Sequence, residues 1–277
     1  MKLSIYLNNY FVKYNKKQTP PTENLSIKIL KDLSETDHQF IFRGEPTYRN
    51  DLPKILKLFR RKDYILTTDA TDVDKILEFD KSIPYLSVKW DGINNDMIRG
   101  EKPLSLNMNR LFERVNYQQA RIEYTFSPYN KDSWEYDLAQ LEYFMKKYKL
   151  KQPYFSMYQQ GQIYNEENFK WLNITKEFIS KLNHKGLLTQ KTLDYLNNWT
   201  KKQLYTCTSP QNELVIMYDG SVRLCQSHRM NEVIGSLKDN TLDEVIKTSE
   251  DIRKQAEGYP LRQQCWLSYH YKDNVAK

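Results

Sequence analysis

The stretch that decides the fold class of this chain is Gln39-Phe40-Ile41-Phe42-Arg43-Gly44-Glu45-Pro46. A short apolar run rich in Phe and Ile is typical of a buried strand, and here it ends in a Gly-Glu-Pro turn. A segment with helical spacing, Leu52–Arg60, follows it. Strands that alternate with helices build a parallel sheet, so this stretch predicts an α/β fold.

The same unit recurs along the first half of the chain, with connections long enough for right-handed crossovers. The predicted strands are Leu3–Leu7, Gln39–Phe42, Tyr64–Thr67, Tyr85–Lys89, Arg121–Phe126 and Tyr154–Tyr158. The predicted helices between them are Thr22–Leu33, Leu52–Arg60, Thr71–Phe79, Leu104–Arg114 and Ser133–Lys147. This order predicts a partial (β/α)6 TIM-like barrel of parallel strands over residues 1–160.

The pattern changes after residue 158. Polar, amphipathic helices are predicted at Glu166–Leu182 and Thr189–Lys202, with no further parallel strand directly after them, so residues 161–205 form a helical connector. Two apolar runs around Tyr218-Asp219-Gly220 predict a hairpin, and Leu242–Glu257 predicts a helix capped by Thr241. We therefore expect a small, separate hairpin-plus-helix domain over residues 206–277.

Composition bounds the function classes. The 277 residues contain no apolar run near the roughly 20 that a membrane helix needs, and no signal peptide begins at Met1, so we expect a soluble, cytoplasmic protein without a membrane partner. The net charge of +7 permits an anionic partner such as nucleic acid, although a solvated surface rich in Lys explains it equally well. The cysteines, all in the last quarter, fit metal ligands or buried thiols better than disulfides: Cys207, Cys225 and Cys265.

Several short motifs follow the order found in radical S-adenosylmethionine (SAM) enzymes. Phe42–Pro46 resembles the Gly-Gly-Glu-Pro segment of that family, with Arg43 in place of the first Gly. Thr67-Thr68-Asp69 is similar to its Thr-Asn-Gly. Leu86–Gly92, followed by Asp96–Gly100, resembles its Ser-x-Asp-Gly strand end and the trailing His-Asp-x-Ile-Arg-Gly.

The resemblance implies a SAM site at the carboxyl ends of the strands, where parallel barrels bind their ligands. In that family the segment that Glu45 matches holds the amino group of SAM. The alternative is that Gly-Glu-Pro and Asp-Gly serve only as turns at strand ends. The residues that the resemblance assigns to this site are Gly44, Glu45, Pro46, Thr68, Ser87, Lys89, Asp91 and Arg99.

The spacing of Cys207, Gly220 and Cys225 resembles the first half of the SPASM and twitch domains, which hold auxiliary clusters in that family. Cys265 falls where the family begins a Cys-x-x-Cys pair, but the second position is Ser268. Three thiolates with a fourth ligand could hold zinc or an iron-sulfur cluster; the candidates for that ligand are His228, Ser268 and His270. The alternative is a site that no longer binds metal, with its thiols buried.

The three-cysteine loop that binds the catalytic cluster in radical SAM enzymes has no counterpart after the first strand. The matching positions are Tyr10, Tyr14 and Lys17, or Phe11, Asn15 and Gln18 with the register shifted by one. Neither set suits a soft iron-sulfur cluster. The resemblance therefore predicts a degenerate radical SAM protein without reductive cleavage of SAM.

Four functions follow from these observations. The first is a pseudoenzyme that serves as a binding or scaffold module for a peptide, nucleotide or protein partner. The second is an enzyme that keeps SAM or another nucleotide and an auxiliary metal, with Lys89 and Asp91 as its acid-base pair. The third is a nucleic-acid-binding accessory whose 21 tyrosines stack bases, and the fourth is an assembly component encoded by a virus or phage.

Overall fold

The computed structural model describes most of the chain, including every predicted barrel strand except residue 158. The described residues are 1–10, 20–96, 104–115, 119–127, 129–157, 172–188, 190, 193–194, 204–207, 209–224, 233–257, 260–262 and 271–272.

A nine-stranded sheet in the order β10-β9-β8-β1-β2-β3-β4-β5-β6 forms the centre of the molecule. Neighbouring strands from β8 through β1 to β6 are all parallel, which confirms the predicted parallel sheet of a partial barrel. The strands are β1 (Lys2–Tyr6), β2 (Gln39–Arg43), β3 (Tyr64–Thr68), β4 (Tyr85–Trp90), β5 (Ala120–Phe126), β6 (Tyr154–Met157), β8 (Glu213–Ile216), β9 (Ser221–Arg223) and β10 (Val233–Ser236).

Helices connect the parallel strands. They are α1 (Ile27–Ser34), α2 (Leu52–Leu58), α3 (Val73–Leu77), α4 (Leu104–Arg114) and α5 (Trp134–Tyr148). Alternate residues of the strands, such as Leu3 and Ile5 in β1, are fully buried in the core that these helices cover. Their neighbours along the strands lie on the opposite, concave face of the sheet, because side chains alternate between the two faces of a strand.

The first helix begins later than its predicted start at Thr22. Residues 23–25 extend along the end of β1 instead, where Asn9 N donates to Glu23 O at 3.1 Å and Leu25 N donates to Leu7 O at 2.9 Å. Ser26 then caps the helix through its side chain, which accepts from Lys28 N. These hydrogen bonds to the end of the preceding strand hold residues 23–25 in an extended conformation, in place of the first helical turn that was predicted there.

In the connector, helix α6 (Leu172–His184) packs against the barrel. The ring of Phe178 stacks on Phe126 at a centroid distance of 4.2 Å and contacts Phe155 edge-on at 6.2 Å. Helix α6 therefore packs against the edge of the sheet formed by β5 and β6. The predicted helix Thr189–Lys202 lies almost entirely outside the described residues.

The predicted hairpin is present as β8 and β9, but it does not stand apart from the barrel. Strand β8 pairs in parallel with β1, so a parallel strand does follow the connector, at the opposite edge of the sheet from β6. The pairing buries the edge of β1 together with Leu214 and Ile216. The domain boundary at residue 206 remains a prediction.

The rest of the tail, where it is described, contains a second, three-stranded sheet and three helices. The sheet is formed by β7 (Leu204–Cys207), β11 (Pro260–Arg262) and β12 (Tyr271–Lys272). The predicted helix Leu242–Glu257 is divided at Ser249 into α8 (Leu242–Thr248) and α9 (Glu250–Glu257), with a short α7 (Ser209–Asn212) before β8. Thr241 caps α8 as predicted.

Candidate functional site

The carboxyl ends of β1 and β2 are joined through Asn8. Its side-chain nitrogen donates to Glu45 O at 2.7 Å, and its Oδ1 accepts from the backbone N–H groups of Glu45 and Tyr10, both at 3.3 Å. Gly44 precedes Glu45 with a φ of +81°, and a Cβ there would collide with Asn8 Oδ1. Only glycine fits this close approach, which accounts for Gly44 as part of the turn and leaves its assigned SAM role a prediction.

The carboxylate of Glu45 is fully buried and bonded within the protein. It accepts from Thr47 Oγ1 at 2.7 Å, Thr68 Oγ1 at 2.8 Å and Asp69 N at 2.5 Å. Pro46 begins a single 3-10 turn, Pro46–Tyr48, which brings Thr47 N to the same carboxylate. Burial, and then the negative charge of Asp69, raise the pKa of Glu45 to about 7.

These bonds give Glu45 a structural role in the described protein. Its oxygens connect the turn after β2 to the end of β3, and four donor groups of the chain already fill most of their acceptor sites. The predicted site residue Thr68 serves the same turn, because its hydroxyl also accepts from Ala70 N at 3.0 Å. A ligand amino group would have to displace one of these donors to reach the carboxylate.

The ion pair at the strand ends joins Lys89 and Asp69, whose Nζ and Oδ1 atoms are 3.5 Å apart. Asp69 is buried, whereas 21% of the Lys89 side chain is exposed, so the amine can meet a ligand on the concave face. The sequence pointed to Asp91 as the partner of Lys89. Asp69 lies at the end of the neighbouring strand, and only the pairing of β3 with β4 brings it beside Lys89.

Asp91 and Gly92 belong to a turn that anchors the loop after β4. Asp91 N donates to Asn95 Oδ1 at 2.9 Å, and Asp91 O accepts from Asn130 Nδ2 at 3.1 Å. Gly92 has a φ of +88°, and a Cβ at this position would collide with the carboxylate of Asp137. The interpretation of Asp91-Gly92 as a turn therefore accounts for the hydrogen bonds of Asp91. The role of Asp91 in binding a ligand stays a prediction.

The carboxylate of Asp137 fixes this turn from helix α5. It accepts from Ile93 N and from Tyr124 OH, each at 2.7 Å. Burial is the largest cause that raises the pKa of Asp137, to about 6, while both hydrogen bonds favour the charged form. Sequence reasoning missed this residue, because a single Asp in the first turn of a helix looks like an ordinary favourable interaction with the helix dipole.

A strip of polar and charged side chains on the concave face consists of two clusters, one across β8, β1 and β2 and the other across β4 and β5. At one end, Ser4 donates a short hydrogen bond to Glu213 and accepts from Arg43 Nε at 3.3 Å. At the other end, the predicted residue Ser87 donates to Glu123 Oε2 at 3.3 Å and accepts from Arg121 Nε at 3.2 Å. Charged groups of both signs on strands of a buried sheet suit the recognition of a polar ligand.

Of the positions that match the missing cysteine loop, Tyr10 lies among the described residues, and Tyr14 and Lys17 lie outside them. Tyr10 is only 4% exposed, and its ring lies 5.2 Å from that of Tyr48. A packed phenol ring is a poor ligand for iron in a sulfide cluster, which prefers thiolates. The residues at this place therefore do not fit the catalytic cluster that the resemblance implies.

The predicted metal site of the tail is described only in part. Cys207 ends β7, of which the backbone alone is described, and Cys225, Cys265, His270 and also the barrel residue Arg99 lie outside the described residues. Within the described part of the chain, no group of three or more His, Cys, Asp or Glu side chains could hold a metal ion. No helix in that part is long and apolar enough to cross a membrane.

Comparison with known families supports an iron-sulfur relationship for the tail. Residues 207–267 match the SPASM model, described as an iron-sulfur cluster-binding domain. The matched range contains Cys207, Cys225 and Cys265, whereas His270 lies outside it, and the ligand set stays a prediction. No curated protein sequence matches the chain significantly.

The fold is similar to that of several solved structures. SuiB of Streptococcus suis bound to S-adenosylmethionine matches with a TM-score of 0.64 at 13% identity, over 93% of this chain and 68% of that one. SuiB bound to the precursor peptide SuiA gives 0.66 at 14% identity, over 93% and 66%. BtrN in complex with AdoMet and 2-DOIA gives 0.50 at 11% identity, over 92% and 86%.

This chain thus spans about two thirds of the SuiB chains, and the low identities establish a shared fold. The chain therefore shares its fold with SuiB, which was solved bound to S-adenosylmethionine, and its residues 207–267 match the SPASM iron-sulfur cluster-binding domain.

Proposed function

We propose that this chain is a pseudoenzyme of the radical SAM fold, which cleaves no SAM by radical chemistry and serves as a binding module for a peptide partner. The observation that supports the proposal is the buried ring of Tyr10, at the position that the resemblance matches to the first cluster thiolate; with the register shifted by one, that position is Phe11. The other two positions, Tyr14 and Lys17, offer a phenol and an amine. Neither group binds iron-sulfur clusters well.

Thiols from the tail offer no substitute. Cys207 belongs to β7 in the three-stranded sheet, which does not pair with the strands of the barrel. A catalytic cluster needs three thiolates, so it would take all of the cysteines of the chain and leave the SPASM segment with none. The match over residues 207–267 favours keeping these cysteines in the tail.

The concave face supports a peptide as the ligand. Ser4, Arg43, Ser87 and Glu213 are buried and bonded within the protein, but the half-buried side chains of Lys89, Arg121 and Glu123 on β4 and β5 offer charged partners of both signs to a peptide. SuiB, which shares the fold, was solved with a precursor peptide bound. A peptide partner for this chain is therefore the assignment that both the surface and the comparison favour.

The test is an assay for reductive cleavage of SAM. The protein is reconstituted anaerobically with iron and sulfide, supplied with SAM and dithionite, and the released methionine and 5′-deoxyadenosine are quantified. We expect no release above that of a blank without protein, whereas a radical SAM enzyme with its cysteine loop intact turns over under the same conditions. Turnover that requires the protein would refute the proposal.

A second candidate is an enzyme that binds SAM or another nucleotide and performs polar chemistry. The observation that favours it is the partly exposed amine of Lys89, which its ion pair with Asp69 holds at a strand end. The internal bonds of Glu45 weigh against it, since they occupy the group that would hold the amino group of SAM. A rise in melting temperature with SAM, lost in Lys89→Met, would favour this candidate through ligand linkage.

A further inference from the structure

A basic groove lies between α1 and α2 on the helix side of the sheet, away from the concave face. It has a volume of about 890 Å³. Six exposed basic side chains line it: Lys28, Lys31, Lys54, Lys57, Arg60 and Arg61. Glu35 is the one acidic residue among the groove's lining residues.

Within the described part of the chain, Lys54 acts on a nearby acid: the pKa of Asp51 is lowered mainly by its hydrogen bond from Arg49 and, more weakly, by the charge of Lys54. None of the six basic side chains forms an ion pair with an acid there, although other exposed lysines, such as Lys185 with Glu142, do so. Basic residues in the last turn of a helix interact favourably with its dipole, which accounts for Lys31 and Lys57 individually. It does not account for six like charges around one groove, whose mutual repulsion an anionic ligand would relieve.

The floor of the groove favours a peptide over a nucleic acid. Ile27 is 40% exposed there, and Leu58 is half-buried beside it, so an apolar side chain of a ligand gains contact area. The lining contains no aromatic ring on which a base could stack. An acidic peptide that carries an apolar residue would complement both the basic side chains and the apolar surface of Ile27 and Leu58.

A second groove limits the length of the anion. It has a volume of about 660 Å³ and lies on the other side of α1, where acidic side chains of α1 and of the α8 region meet. Five acids line it against two lysines, so its charge is net negative: Asp32, Glu35, Asp239, Asp243 and Glu244, with Lys28 and Lys238. A long polyanion such as duplex DNA, if it extended past α1, would meet these carboxylates and be repelled, whereas a short acidic segment fits within the basic groove.

We propose that the basic groove binds a short acidic peptide segment of a partner protein, with carboxylates over the lysines and an apolar side chain over Ile27 and Leu58. This second contact lies on the opposite face of the sheet from the concave strip. It is therefore independent of the ligand proposed there and of the absence of radical chemistry.

The test measures fluorescence anisotropy of a labelled glutamate-leucine peptide titrated with the full chain. We expect saturable binding that weakens about tenfold in the double variant Lys31→Glu, Lys57→Glu, because the reversal turns two attractions into repulsions. The matched control is Lys146→Glu, Lys247→Glu, which changes the net charge equally at exposed positions outside the groove. It should change the affinity by less than about twofold.

Thermal melts check that both double variants remain folded. We expect them to, because all four lysines are exposed. If both variants lost peptide affinity equally, net charge alone would explain the binding and the proposal would be wrong. A lack of peptide binding would also overturn it. If single-stranded or duplex DNA bound more tightly than the peptide, and this binding depended on Lys31 and Lys57, the ligand of the groove would be a nucleic acid and the proposal would be wrong.

Discussion

At the scale of single residues, Glu45 is a fully buried carboxyl whose pKa is raised by burial and by the negative charge of Asp69. Its pKa of about 7 in the folded protein lies above the ordinary value of 4.5, so folding favours the protonated form. The stabilising contribution of protonation is complete below pH 4.5 and is lost as the pH rises through 7. Wild-type protein should therefore lose part of its stability over that window, through this group.

Glu45→Gln should remove this dependence. The amide cannot accept all the bonds from Thr47, Thr68 and Asp69, so the variant should be about 1–3 kcal/mol less stable at pH 5. The deficit should shrink by pH 8, because only the wild type then carries a buried charge. Urea unfolding at both pH values checks this, with Glu135→Gln on the exposed face of α5 as control. A deficit that does not vary with pH would contradict the assigned pKa.

Gly92 is required by two separate effects, and substitution can separate them. Gly92→Ala places a methyl group against the Asp137 carboxylate and forces alanine to a φ of +88°, so it should cost at least about 2 kcal/mol in free energy of unfolding. Gly186→Ala is the control. Gly186 has a φ of +65° with nothing within 4 Å of the added methyl, so strain alone should cost about 1 kcal/mol. Equal costs in denaturant unfolding would mean that the contact with Asp137 is unimportant.

At the scale of elements, the start of α8 is held by a complete capping box. Thr241 Oγ1 accepts from Glu244 N at 3.3 Å, and Glu244 accepts from Thr241 N at 2.7 Å. Thr241→Ala should therefore destabilise the protein by about 1 kcal/mol in chemical denaturation. Thr248→Ala, at an exposed position later in the same helix, should change stability by less than about 0.5 kcal/mol. A cost at Thr248 as large as that at Thr241 would contradict the capping role.

Element boundaries could be predicted where the signal is local. The cap at Thr241 is an example, because Thr241 and Glu244, three residues later, are enough to predict where the helix begins. The break at Ser249 and the late start of α1 could not be predicted. Residues 23–25 follow the end of β1 because Leu25 N bonds Leu7 O, a contact between segments whose pairing helical periodicity does not reveal.

At the scale of the whole molecule, the sequence was enough for the parallel sheet, since the apolar runs of its strands recur between helical segments. It was not enough for the pairing of β8 with β1, because that pairing joins segments such as Ser4 and Glu213 that lie at opposite ends of the chain. The pairing of β3 with β4 is likewise not visible in the sequence, and it makes Asp69, rather than Asp91, the acid whose carboxylate contacts the Lys89 amine. Motif order located the strand ends, and sheet register decided which side chains meet there.

The central claim, that the barrel holds no catalytic cluster, is tested most directly by the iron content of a variant without tail cysteines. After anaerobic reconstitution, the intact chain should bind at most one cluster, of about four irons. The triple variant Cys207→Ser, Cys225→Ser, Cys265→Ser should bind none, because Tyr10, Tyr14 and Lys17 offer no thiolate. A stoichiometric cluster in that variant would contradict the account.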